Sequence, residues 1–174
     1  MGAVRRPEPA ARAMPGVILQ FLERASVALA ATRDAALVPR IHWVSGWQVD
    51  PDQASIWCFV PKEFAEGLPA AAQERAPFAL TVEHIGPHEC YQFKGPLREW
   101  RPATEADRVL TARCRERFSA AVRGLLTHLA GEDVALRRYI LEPALALRLD
   151  VREIFLQTPG PGAGSLMARV GEMP

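Results

Sequence analysis

Hydrophobic residues recur along this chain in two rhythms. In residues 15–24, Val17, Ile18, Phe21 and Leu22 return at helical spacing, and Pro15 suits a first helical turn. Residues 26–33 are a short apolar run that reads as a buried strand, with a turn at Asp34, Ala35 and Ala36. A second strand, about 38–49, carries Ile41, Trp43 and Trp47. A third, 55–60, follows the turn at Asp50, Pro51 and Asp52. Pro61 lacks a backbone donor, so pairing should stop there.

Residues 63–75 are Ala-rich. Pro69 divides them into a short turn and a helix with Pro69 in its first turn. Residues 78–83 alternate as a strand does, and Gly86-Pro87 marks the next turn. The strand at 90–99 should bend at Gly95-Pro96. Thr104 with Asp107 opens one long helix, whose stripe is Leu110, Cys114, Phe118, Ala121, Val122, Leu125 and Leu129; Gly131 suits its stop. In the last clear strand Leu145, Leu147, Leu149 and Val151 face one way. Ala146, Arg148, Asp150 and Arg152 form the polar face, and residues 154–156 extend the strand. The pattern predicts a mainly β protein with helices: a six-stranded antiparallel split β-barrel with flanking α-helices. Residues 1–13 read as a flexible leader, 14–160 as one domain, and 161–174, after the Pro-Gly run, as a flexible tail.

Composition narrows the function classes. The chain has 174 residues, enough for one core without disulfide or metal staples. Its formal net charge is +1, which argues against broad nucleic-acid binding while permitting a local grip on one phosphate. Lys62 and Lys94 are the only lysines among 21 basic residues. In so Arg-rich a chain a lysine carries slightly more weight than an arginine. Cys58, Cys90 and Cys114 are odd in number and widely spaced, so they form no disulfide framework. No apolar run approaches a membrane span, and Arg5-Arg6 is followed by Pro7, Glu8 and Pro9 where a signal peptide needs an apolar core. These features read as a soluble cytoplasmic protein with neither nucleic-acid nor membrane partners.

Little in the chain carries chemistry on its own. There is no phosphate loop, dinucleotide fingerprint, HExxH or G-x-S-x-G. His84, His88 and Cys90 are of the kind zinc uses, but no fourth ligand is evident nearby, and a polar hairpin loop is the plainer reading. The informative stretch is 39–47, which combines Arg40, His42, Trp43, Ser45 and Trp47 on one strand. An aromatic wall with a few placed polar groups suits a flat heteroaromatic ligand. The competing reading is that Trp43 and Trp47 simply fill the barrel.

Taken together, the order of elements resembles the pyridoxamine 5'-phosphate oxidase-like family, the flavin-binding split barrels. The matching pieces are Val27-Ala-Leu-Ala-Ala-Thr-Arg33, Pro39 with His42-Trp-Val44, and Ile56-Trp-Cys-Phe-Val60. Ala76-Pro-Phe-Ala-Leu-Thr-Val82 and Tyr91-Gln-Phe-Lys-Gly95 follow. Residues 145–157 resemble the family's last strand, and the likeness covers roughly 15–160. It implies a homodimer with FMN at the subunit interface and a small-molecule substrate. It maps the flavin ring edge to His42, Trp43, Val44 and Ser45, with Phe59 and Val60 ending the next strand. The family's arginine three residues after the proline is His42 here, with Arg40 two positions earlier. Its Ser-Arg-Lys phosphate clamp is represented only by Lys62, and its fifth-strand glutamine falls near Cys90, with Gln92 two residues on. Phe155-Leu-Gln157 lacks the arginine-rich segment that follows in true pyridoxamine phosphate oxidases, so vitamin B6 oxidation is not expected.

Two functions follow from the resemblance. One is an FMN-dependent oxidoreductase, in which the flavin carries the hydride chemistry and no side-chain acid or base is required, so no catalytic residue is assigned. The other is a non-catalytic dimeric split-barrel module that binds haem or another flavin-like ligand with a degenerate phosphate clamp.

Overall fold

The computed structural model describes residues 13–34, 36–125 and 141–171. The expected leader lies outside them except for Ala13, and so do Leu129 and Gly131 of the expected helix end.

Nine strands form among the described residues, most of them near the runs of apolar alternation. They are β1 (Val27–Arg33), β2 (Pro39–Val44), β3 (Gly46–Val49), β4 (Ser55–Pro61), β5 (Pro77–His84), β6 (Glu89–Pro102), β7 (Pro143–Asp150), β8 (Glu153–Leu156) and β9 (Leu166–Arg169). The helices are α1 (Gly16–Arg24), α2 (Leu68–Gln73) and α3 (Glu105–Leu125), with a 3-10 turn at Lys62–Phe64. The antiparallel order is β2-β1-β5-β6-β7-β4-β3, with β8 joining β6 to β9. The sheet curls without closing, which is the split barrel the sequence predicts. It has more strands than the six expected.

The extra strands have local causes. The single expected strand over 38–49 is divided at Ser45, whose amide donates to the Phe59 carbonyl at 2.8 Å. This places β2 and β3 at opposite ends of the sheet order. At Gly46 a Cβ would press on Thr111 and Cys114 of α3, so the glycine lets the helix lie close against β3. Pro61 ends regular pairing, with a register shift between Val60 and Pro61.

β6 is the pivot of the fold. Its residues 89–96 pair with β5, and Leu97, Glu99, Trp100, Arg101 and Pro102 pair with β7. The bend falls at Gly95, where a Cβ would run into the Asp150 carbonyl. β7 departs from the expected two-faced pattern. Ala146 and Asp150 are buried on the side read as polar, because β7 lies between β4 and β6 in a sharply curled sheet. Asp150 sits there with Arg98 at 3.0 Å.

Residues 154–156 form a separate strand paired with β6. The expected flexible tail is also corrected. Gly160 and Gly164 take positive φ, the Gly164 amide donates to the Leu156 carbonyl at 2.7 Å, and the chain returns as β9 along β8. The Pro-Gly run is therefore the connection of a hairpin.

The core lies between the curled sheet and α1, which buries Ile18, Phe21 and Leu22. α3 starts as predicted: the Thr104 Oγ1 accepts from the Asp107 amide, and the Asp107 carboxylate accepts from the Thr104 amide at 2.7 Å. Its deepest side chains are Asp107, Thr111 and Cys114, and Leu110 and Phe118 of the expected stripe are only half-buried. Among the described residues no helix is long and apolar enough to cross a membrane.

Candidate functional site

The β1–β2 hairpin places Thr32 and His42 on the inward side of the sheet. Register pairs Ala30 with His42 and Thr32 with Arg40. The His42 Nδ1 lies 2.6 Å from the Phe64 carbonyl, which can only accept, so this nitrogen carries the proton. Its Nε2 then accepts from the Thr32 hydroxyl at 2.8 Å. Burial pushes the imidazole pKa down, the bond to Phe64 partly opposes this, and the charge of Arg40 adds to the lowering. His42 is thus a neutral ring with both nitrogens satisfied, tying β1, β2 and the turn after β4 together.

The other mapped phosphate ligands lie at the surface of this corner. Arg40 pairs with Glu66 at 3.5 Å on the surface. Lys62 is exposed on the 3-10 turn. With His42 neutral and internally bonded, the residue at the family's arginine position has no charge to offer the phosphate of FMN. The remaining β2 and β4 positions are engaged in packing. Trp43 meets Phe118 edge to face at 5.9 Å, and Val44 is buried. The Ser45 hydroxyl donates to the Leu141 carbonyl at 2.8 Å. Phe59 and Val60 are fully buried, on a strand flanked by β3 and β7.

Cys90 and Gln92 are not brought to that corner. They lie on β6, separated from β2 in the sheet by β1 and β5. The Cys90 amide donates to the Thr158 hydroxyl at 2.9 Å, and burial pushes its thiol up to about 11, with Glu83 adding to the rise. Such a thiol is inert at neutral pH. The Gln92 amide donates to Thr81 at 3.0 Å. His88, of the candidate metal triplet, pairs with Glu83 at 3.0 Å. Among the described residues no group of three His, Cys, Asp or Glu side chains is placed to hold a metal ion.

The outward face of β1, β5 and β6 offers a different site. Register sets Ala31 beside Ala79, Ala79 beside Lys94, and Phe78 beside Gly95. The small side chains of Ala31 and Ala79, side by side, leave an open trough of about 600 Å3, floored by them and by the backbone at the Gly95 bend, with Arg33, Arg75 and Lys94 on its rim. The sequence reading placed no ligand residue there. The signal available was Lys94, the second of the two lysines, next to the predicted bend. A cavity of about 460 Å3 between α1, β3 and α3 is less suited to a ligand. Its Arg117 already donates to the Ala25 carbonyl at 3.1 Å and lies over the Trp47 ring.

No protein-family model matches the chain, and no curated protein matches it. Solved structures do. HupZ of Group A Streptococcus is 14% identical, with a TM-score of 0.50 over 87% of this chain and 99% of that one. A putative pyridoxamine 5'-phosphate oxidase from Lactobacillus delbrueckii is 11% identical, with a TM-score of 0.48 over 82% and 93%. HutZ, the heme storage protein from Vibrio cholerae, is 14% identical, with a TM-score of 0.45 over 83% and 94%. At these identities the likeness is one of fold.

Proposed function

We propose that the protein is a homodimeric split-barrel module that binds a flat heteroaromatic ligand of the flavin type on the outward face of β1, β5 and β6, without a phosphate clamp at the β2 corner. The observation that carries this reading is the pairing of Ala31 with Ala79, which puts two small side chains at adjoining positions of the outward face. Flat ligands favour such apolar, largely preformed clefts. The closed state of His42 supports the second half of the reading. An apolar patch supports the dimer. Leu29 is 42% exposed and Ile41 71% exposed, both in strands, and Leu37 and Val38 lie exposed at the turn between them. Soluble monomers rarely show such a patch without a partner, and a second copy is the occupant proposed.

The test is titration of the purified full chain with riboflavin, FMN and haem, followed by NADH and NADPH. Flavin binding with no bleaching supports the module. Bleaching of bound flavin by either nicotinamide identifies the FMN-dependent oxidoreductase instead. A haem band with no flavin uptake moves the ligand to haem. A chain that takes up none of the three overturns the reading.

A further inference from the structure

We infer that the rim of the β1–β5–β6 trough is an anion-recognition site, in which Arg33, Arg75 and Lys94 hold the phosphate or carboxylate of a flat organic ligand lying on the alanine-glycine floor. This rests on the flavin reading for the ring and on the rim itself for the anion. Three cations line this cavity, and none of its described lining residues is acidic. In a chain whose net charge is only +1, that is a local concentration of one sign. An apolar floor beside a cationic rim fits an amphiphilic anion and not a bare inorganic ion.

Three nearby carboxylates have other partners. Asp34 accepts from the Val38 amide at 2.9 Å. Glu153, opposite Lys94 in register, contacts Arg169 at 3.6 Å. Asp150 is shared by Arg98 at 3.0 Å and Arg152 at 3.7 Å, with Arg75 farthest at 3.9 Å. Lys94 has an aromatic contact, 4.4 Å from the Phe155 ring, and no ion pair among the described residues; neither has Arg33. All three cations therefore keep donors for a ligand.

Arg75 follows α2 at the position where a helix commonly ends on glycine. The Ala76 amide reaches back to the Ala71 carbonyl at 2.8 Å and the Arg75 amide to Ala72 at 3.1 Å, the pattern of a Schellman stop. Arg75 adopts φ 53° there, in the left-handed region glycine prefers. Arg75 lines the trough while reaching toward Asp150 at 3.9 Å, so an anion there would meet its guanidinium as well.

The experiment compares FMN with riboflavin on the full chain and on the double variant Arg33→Gln/Lys94→Gln. The parent should favour FMN by about tenfold or more, and the variant should bring the ratio close to one, given how much charge-assisted contacts add at half-exposed sites. A parent that treats the two alike, or a preference that survives the double variant, overturns the proposal. So does a preference abolished by Lys62→Gln alone. If no flavin binds, the ligand reading fails, and phenyl phosphate followed by amide chemical shifts tests the rim by itself. Shifts at Ala31, Ala79 and Gly95 that vanish in the double variant uphold the anion site, and their absence at millimolar ligand overturns it.

Discussion

Thr32 and Arg33 are adjacent in β1 and face opposite sides of the sheet. On the Thr32 side, His42 is closed off by two internal hydrogen bonds and holds three segments together. On the Arg33 side, small residues leave a trough and the cations around it have few protein partners. The difference is one of saturation. A polar side chain saturated by the protein stabilises the fold and has nothing left for a ligand, whereas unsaturated charge beside empty volume keeps its binding capacity. The resemblance implies ligand contacts at the first corner; the site proposed from the geometry lies at the second.

The largest effect is expected from removing the bend in β6 at the edge of the trough. Gly95→Val should cost about 4 kcal/mol or more, or prevent folding, because the added Cβ meets the Asp150 backbone and cannot swing away. Urea denaturation of Gly95→Ala and Gly95→Val measures it. Parental stability in either variant would mean that β6 and β7 can separate at the bend and that the floor is not fixed.

The closed corner is tested next. His42→Ala strands the Phe64 carbonyl and leaves a cavity, so a loss of about 3 kcal/mol is expected in the same assay. The pH dependence has a definite sign. The folded His42 pKa lies below 6.5, so near and below that pH the unfolded chain binds more protons than the folded one. Its contribution is full above 6.5 and is lost as pH falls through the lowered value. The parent should therefore lose stability from pH 7 to 5 more steeply than His42→Gln. Parallel curves would show that the ring is not held neutral.

Alternation and turn residues made much of the fold legible in the chain. α1, the β5–β6 hairpin and the Thr104 stop-start of α3 stand close to where the residues put them. The break at Ser45 and the strand β9 were not legible. A one-residue offset between two strands leaves no turn signal, and Leu166–Arg169 is too short to outweigh six preceding Pro, Gly and Ala residues. The site was less accessible still. His42 and Lys62 stood out by chemistry, but whether a polar group is saturated depends on Phe64 and Thr32, which only the folded chain brings to it. The trough depends on Ala31 and Ala79 lying side by side, a matter of register between strands far apart in sequence.

A smaller effect concerns the apolar patch. Ile41→Asp should leave the monomer fold within about 0.5 kcal/mol, since the side chain is mostly exposed, while converting the proposed dimer to a monomer. Light scattering at micromolar concentration reads the mass. A parent already monomeric at that concentration removes the second copy from the reading and leaves both corners to be judged on a single chain.

The finest test separates stability from binding at one residue. Arg75 occupies left-handed backbone that costs a non-glycine residue roughly 1–2 kcal/mol, partly offset in Arg75→Gly by the larger freedom of the unfolded chain. Its ion pair with Asp150 is long and Asp150 keeps a closer arginine, so losing it should matter little. Arg75→Gly is therefore expected to stabilise the protein by up to about 1 kcal/mol in urea while weakening FMN by about threefold to tenfold. His42→Ala, by contrast, should lower stability first, with any loss of binding following from it. A residue kept against its own backbone preference for the sake of a ligand gives opposite signs in the two assays. If Arg75→Gly is instead destabilising with FMN affinity unchanged, its side chain belongs to the packing around Asp150, and the rim is left with Arg33 and Lys94.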